Sequence, residues 1–203
     1  MSFADVVRRR RMTRAFRPDP LPPGLLEELV DLAARSPSAG KTQGWHLVVL
    51  EGEATAQFWD ITLPADRRTT FRWQQLLDAP VIAVVLADPQ AYVDRYAESD
   101  KALTGLGESI DAWPTPYWTV DAAMATMTLL LAAEDAGLGA LFFGVFSGEA
   151  DLRTQLSIPD RIEVIGALAL GYRAESADQP GRSAGRPRRS GGDIVHRHVF
   201  TDG

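Results

Sequence analysis

The chain of 203 residues contains no cysteine. That absence excludes disulfides, thiolate catalysis and cysteine-ligated metal centres. It is compatible with a reducing cytoplasm, and cytoplasmic residence is the expectation. Histidine is scarce, with only His46, His196 and His198. His196 and His198 would share one face of a strand, but no third ligand of metal type accompanies them, so no metal site is expected. Lysine is nearly absent: Lys41 and Lys101 are the only two among 21 basic residues. The densest apolar run near a helix, Met127 to Ala133, is far too short to span a bilayer. The polar, basic stretch Met1 to Arg17 does not resemble a signal peptide. No membrane partner is expected. A Walker-type phosphate loop is missing, and so is a dinucleotide fingerprint. Gly105-Leu-Gly107 and Gly137-Leu-Gly139 do not open a helix after a strand with the required spacing. Gly144-Val-Phe-Ser147-Gly148 lacks the order of a nucleophile elbow. With no general acid, base or nucleophile on display, any catalysis would rest on a cofactor.

What the chain does have is clustered arginine. One island runs through Arg8, Arg9, Arg10, Arg11, Arg14 and Arg17, and a second holds Arg182, Arg186, Arg188 and Arg189. The formal net charge is −6, so both stand out against an acidic background. Positive charge concentrated in this way points to a localised anion site such as a phosphate. Arginine suits that role because its planar fork pairs with two phosphate oxygens at once. A bias toward arginine would explain the residue type but not the clustering. An isoelectric point near 5.1 argues against general nucleic-acid binding. Apolar residues make up 45% and charged residues 24%, the balance of a soluble globular chain, and one domain over 1–203 is the default.

Patterning along the chain predicts alternating helices and strands. Ser2 with Asp5 resembles a capping box opening a short helix that ends near Arg8–Arg11. Four prolines between Pro18 and Pro23 break the chain, and Pro23 to Arg35 should be an amphipathic helix. Strands are expected at His46–Leu50, Val81–Ala87, Ala140–Phe146 and Ile162–Leu170, the second buried on both faces. Residues 54–80 read as mixed and largely helical, and residues 89–118 as a helix plus an irregular aromatic excursion. Thr119 to Ala136 should be a central buried helix closed by Gly137, and the scarcity of polar residues over Ala122–Ala133 implies burial on all sides, more than one sheet face supplies, and so a homodimer. A short helix spans Ala150 to Leu156. Residues 174–192 form a surface segment, the start of a C-terminal extension over about 174–203, and Ile194–Phe200 could add an extended edge. The class is α/β or α+β, with a mixed sheet flanked by helices.

Several segments together resemble the FMN-dependent nitroreductase family. Arg9-Arg-Arg-Met-Thr-Arg-Ala-Phe16 is similar to the family's opening signature. Ser36-Pro-Ser-Ala-Gly-Lys-Thr-Gln-Gly-Trp-His46 is similar to its Ser-Pro-Ser segment leading into a strand. Ala133-Glu-Asp-Ala-Gly-Leu-Gly139 resembles the end of its central dimer helix, and Leu170-Gly171-Tyr172 with Arg186-Pro-Arg-Arg189 its last strand and basic motif. The matches fall in family order and cover most of the chain.

The resemblance implies an α+β fold with a mixed, mainly antiparallel sheet flanked by helices, in an intertwined homodimer with two FMN sites at its interface. Carried over residue by residue, Arg10, Arg11, Met12 and Arg14 would contact FMN. Arg10 and Arg14 would hold phosphate or ribityl oxygens, and Arg186 and Arg188 would complete a phosphate clamp. Pro37, Ser38, Ala39 and Gly40 would come from the other subunit and cover the flavin ring. Arg72 and Gln75 match positions at the flavin's polar edge, and Phe142, Phe143 and Gly144 would lie along the ring. The chain departs from the pattern in places. Met12 replaces the usual Ser, Gly44 the usual Pro, and Gln75 a common Lys, while Phe142-Phe143 is bulkier than usual. Phe142 and Phe143 read equally well as core strand residues, and Arg72 as plain surface. The implied activity is ping-pong transfer from NADH or NADPH to a small aromatic electron acceptor such as a nitroarene or quinone. A dehalogenase, flavin-degrading or dehydrogenase reaction, or a non-catalytic flavin-binding role, fits the same resemblance.

Overall fold

The computed structural model describes residues 2–201. Helix α1 is Phe3–Arg9 and α2 is Leu25–Ala33; strand β1 follows at Trp45–Glu51. Next come α3 (Thr55–Thr62), α4 (Ala65–Arg68), β2 (Val81–Ala87) and α5 (Pro89–Ala97). The long helix α6 covers Tyr117–Asp135 and leads into β3 (Gly139–Phe143). Then α7 (Glu149–Gln155), β4 (Glu163–Gly171) and a single turn, α8 (Gly191–Ile194), complete the order.

Local chemistry sets most of these boundaries. The Ser2 hydroxyl accepts from the Asp5 amide at 3.2 Å, and the Asp5 carboxylate accepts from the Ser2 amide at 3.3 Å, which closes the expected capping box of α1. Helix α2 starts later than the proline pattern suggests. Gly24 is its N-cap in a left-handed conformation (φ 81°), which leaves Pro23 outside the helix. Asp88 caps α5 by accepting from the Gln90 amide at 3.1 Å, with Pro89 in the first turn.

The four strands lie in the order β1-β2-β4-β3, and every adjacent pair is antiparallel. The parallel element is an isolated bridge between Met12 and Ala140. All of β2 is buried, as its unbroken apolar run predicts. Its side chains alternate between two cores. Val81, Ala83 and Val85 meet Leu26 and Leu29 of α2 and Leu129 and Ala133 of α6. Ile82, Val84 and Leu86 meet Phe58 and Trp59 of α3 and Leu152 of α7. The sheet is therefore the middle layer between two helical layers.

One expectation is corrected at the C-terminus. Ile194–Phe200 forms no edge strand. Ser190 and Asp193 make a second capping box that starts α8, and His198 adopts a left-handed φ of 69° that interrupts extension. Helix α6 keeps an exposed apolar stripe in the single chain, with Val120 and Met127 36% and 39% exposed. Phe3 and Val7 of α1 and Leu32 of α2, on helices that pack against α6, are exposed as well.

A buried polar node joins α5, α6 and the loop before β1. Asp121 Oδ2 accepts from the Tyr92 hydroxyl at 2.7 Å and from the Ala39 amide at 2.8 Å. Arg95 Nε donates to the Gly40 carbonyl at 2.9 Å, so residues 38–40 are pinned from both helices. Gly44 completes the fit: a Cβ there would fall 2.7 Å from the Tyr92 ring. A proline at this position would collide, which accounts for the glycine.

Burial, helped by the bond to Asp121, pushes the Tyr92 hydroxyl above the ordinary tyrosine range. An unfolded tyrosine ionises near pH 10, roughly, whereas folded Tyr92 keeps its proton there. The folded state then binds more protons than the unfolded state, so stability is full below that pH and is lost as pH rises through it. Tyr92→Phe should cost about 1–3 kcal/mol at neutral pH and make the alkaline decline shallower than in the wild type. Urea melts across pH 8 to 11 check this, and equal alkaline slopes would contradict it.

Candidate functional site

The site begins with backbone pairing. The Thr13 amide donates to the Ala140 carbonyl at 3.0 Å, Phe16 to Gln75 at 2.9 Å, and Arg17 to Tyr172 at 2.9 Å. In return the Ala174 amide donates to the Ala15 carbonyl at 3.0 Å. Residues 13–17 therefore run beside the exit of β4. Thr13, Ala15 and Phe16 are buried, which prevents the segment from sliding. Beneath it, Glu134 is 2% exposed and pairs with Arg173, with Arg9 at 3.7 Å. Arg173 Nε also donates to the Thr13 hydroxyl at 3.3 Å.

This pairing brings the two arginine islands to one place. Arg10, Arg11, Met12 and Arg14 line a cleft of about 630 Å³ together with Arg186 and Arg188. The other arginines are elsewhere. Arg8 pairs with Asp5 and Arg17 with Asp19, Arg189 donates to the Asp193 carbonyl, and Arg182 does not line the cleft. Within the cleft, Arg14 Nη1 donates to the Met12 carbonyl at 2.9 Å, and its guanidinium sits 5.5 Å from the centre of the Trp73 ring. Arg10 Nη1 is buried with no acceptor among the described residues. The Met12 side chain packs against both cores, which explains why a thioether is accommodated where a hydroxyl resembles the family pattern.

Arg14 also lines a second cavity, of about 360 Å³, whose remaining walls are mostly aromatic and apolar. Phe142, Phe143 and Gly144 border it along β3, and Phe58, Trp59 and Trp73 close its other sides. Trp59 lies parallel to Phe143, 3° apart at 5.9 Å, and Phe58 meets the same ring edge-on at 85°. Phe146 is 95% exposed at the rim. A flat apolar chamber joined to a cationic cleft through one arginine suits an aromatic molecule that carries a phosphate.

The remaining expected residues are placed differently. Arg72 is exposed and stacks on the Trp73 ring at 5.6 Å, while Gln75 offers its carbonyl to Phe16. Neither lines either cavity, although Trp73 between them does. Pro37, Ser38, Ala39 and Gly40 also line neither; they form the loop held by Asp121 and Arg95. Sequence reasoning missed Asp178, which lies inside the cleft, and the aromatic wall from Phe58, Trp59, Phe71 and Trp73. A local signal for the wall exists, since all four fall within residues 54–80, but only the fold turns them toward β3. Among the described residues no group of three or more His, Asp or Glu side chains could hold a metal, and no helix is long and apolar enough to cross a membrane.

Comparison with known proteins identifies the family and the fold. Residues 7–172 match the sequence profile of the nitroreductase family. The chain is 32% identical to an NADH dehydrogenase of Thermus thermophilus, over 82% of this chain and 84% of the relative. It is 25% identical to a 4-nitrobenzoate reductase of a Nocardioides strain, over 98% and 89% of the two chains. Its fold superposes on the solved structure of an Exiguobacterium sibiricum protein in complex with FMN, with TM-score 0.72, 18% identity and 97% of each chain covered.

Proposed function

Because the chain belongs to the nitroreductase family, we propose that it is an FMN-dependent oxidoreductase that uses NADH or NADPH to reduce nitroaromatics, quinones or similar electron-poor aromatic acceptors. The observation that carries this reading is Arg14, shared by a cationic cleft and an aromatic chamber. The residues present fit FMN. The cleft gathers five guanidinium groups, and one of them, Arg10, keeps a buried N–H without an acceptor. A buried donor left in this state costs free energy unless a ligand oxygen meets it. The structurally similar Exiguobacterium protein holds FMN, and the Thermus relative is an NADH dehydrogenase.

In this proposal Arg10, Arg14, Arg186 and Arg188 hold the phosphate, and the Met12 carbonyl aims Arg14. Phe142, Phe143 and Gly144 border the ring and keep water from it. Arg72 and Gln75, which line neither cavity in the single chain, would turn toward the ring to reach its polar edge. When bound, FMN would supply the exchange of hydride between nicotinamide and acceptor, so no protein acid or base is required. Pro37, Ser38, Ala39 and Gly40 would cover the ring of a second copy. The exposed stripe of α6, with Phe3, Val7 and Leu32 beside it, is the apolar face on which that copy would sit.

Arg14→Ala and Arg188→Ala should each weaken FMN binding by roughly tenfold to a hundredfold, the equivalent of a charge-assisted hydrogen bond. Fluorescence titration of the apoprotein measures this, and unchanged dissociation constants would reduce the islands to surface charge. Sedimentation at micromolar concentration should give a dimer; a stable, flavin-loaded monomer would contradict the second-copy arrangement. Since no separate nicotinamide site is evident in the sequence, donor and acceptor should alternate in one pocket and give parallel double-reciprocal lines. Intersecting lines would refute the shared pocket, and failure of both nicotinamides to reduce bound flavin would favour a specialised flavin enzyme or a non-catalytic flavin-binding protein.

A further inference from the structure

We propose that Asp178 is an internal counter-ion of the arginine cleft, which lets the two islands converge before ligand arrives and limits how tightly the cleft then holds a phosphate. This inference rests on the FMN reading above. Asp178 is the one carboxylate lining the cleft among the described residues, and its side chain is only 5% exposed. Its Oδ1 accepts from the Arg14 backbone amide at 2.7 Å, across a gap of 164 positions in sequence. Its Oδ2 faces Arg11 Nε at 3.3 Å. One carboxylate therefore ties the segment that leads to Arg186 and Arg188 onto the segment that carries Arg10, Arg11 and Arg14.

The tie has to act against repulsion. Arg10, Arg11, Arg14, Arg186 and Arg188 surround one cleft, and like charges gathered in a partly buried site disfavour closure. The chain nonetheless approaches Arg14 closely: a Cβ on Gly181 would fall 2.9 Å from Arg14 Nη2. A buried negative charge on Arg11 and the Arg14 amide offsets part of that repulsion. The same charge faces an incoming phosphate dianion and opposes it. The cleft is thus preformed at the expense of affinity.

Asp178→Asn separates charge from tethering, because the amide oxygen still accepts from the Arg14 amide. Apoprotein titrated with FMN, read by flavin fluorescence, should bind about threefold to tenfold more tightly in this variant at low ionic strength. The gain should shrink as salt is added. Riboflavin, which has the ring but no phosphate, should bind wild type and variant equally, whereas a loosened fold would alter both ligands. Equal or weaker FMN binding by the variant, or riboflavin affinity that moves in step with FMN, overturns the proposal. Asp178→Ser, which keeps an acceptor without the charge, gives the same test should the first variant not fold. Should wild type bind no FMN, the flavin reading itself fails. Inorganic phosphate then judges Asp178 through the rise it causes in melting temperature. A larger rise in the variant than in wild type supports the counter-ion, and an equal or smaller rise refutes it.

Discussion

The backbone hydrogen bonds that tie residues 13–17 to Ala140, Gln75, Tyr172 and Ala174 are the constraint on which the site depends. Buried amide and carbonyl groups must be paired, and here each is paired with a different part of the chain. Because Thr13, Ala15 and Phe16 are buried between these bonds, the backbone at Arg14 is held in place, and its side chain shares one cleft with Arg186 and Arg188. Without this pairing, the islands would be separate basic stretches on an acidic protein.

The layering of the sheet accounts for the second half of the site. Strand β2 divides its side chains between two cores, one on each face of the sheet. On the α3 side the cover is incomplete past Leu141. The aromatic rings of Phe58, Trp59 and Trp73 stand around a chamber instead of filling it. On the opposite side, α2 and α6 pack directly on the sheet, but α6 keeps Val120 and Met127 at its outer surface. The aromatic chamber and the apolar outer face therefore belong to opposite layers.

How much of this was legible in the sequence depends on the range of the interaction. The capping box of α1 and the buried run of β2 are local, and both were readable. The start of α2 was not, because Gly24 in a left-handed turn overrides the preference of Pro23 for a first helical position. The extended edge expected at Ile194–Phe200 fails because α8 takes up Ile194 and His198 turns left-handed, and neither is visible in the residue pattern. Charge alone points to a local anion site, and only the resemblance implies that the two arginine islands meet. Asp178 was not anticipated, since a single acidic residue in a Gly- and Ser-rich segment has no distinguishing pattern; its meaning comes from a contact 164 positions away. The aromatic wall was hidden for a similar reason. Side chains of an irregular helical region show no periodicity that reveals which ring faces β3.

Arg14 stands in both cavities, and this has a consequence for how such a protein can change over generations. A mutation that reshapes the aromatic chamber by moving Trp73 also moves the ring against which the Arg14 guanidinium rests. Selection for a new acceptor would then act on cofactor retention at the same time. Descendants are steered toward substitutions at the rim, where Phe146 is free of that linkage, and away from the shared wall. Diversity among relatives should accordingly accumulate at the mouth of the chamber sooner than at its floor.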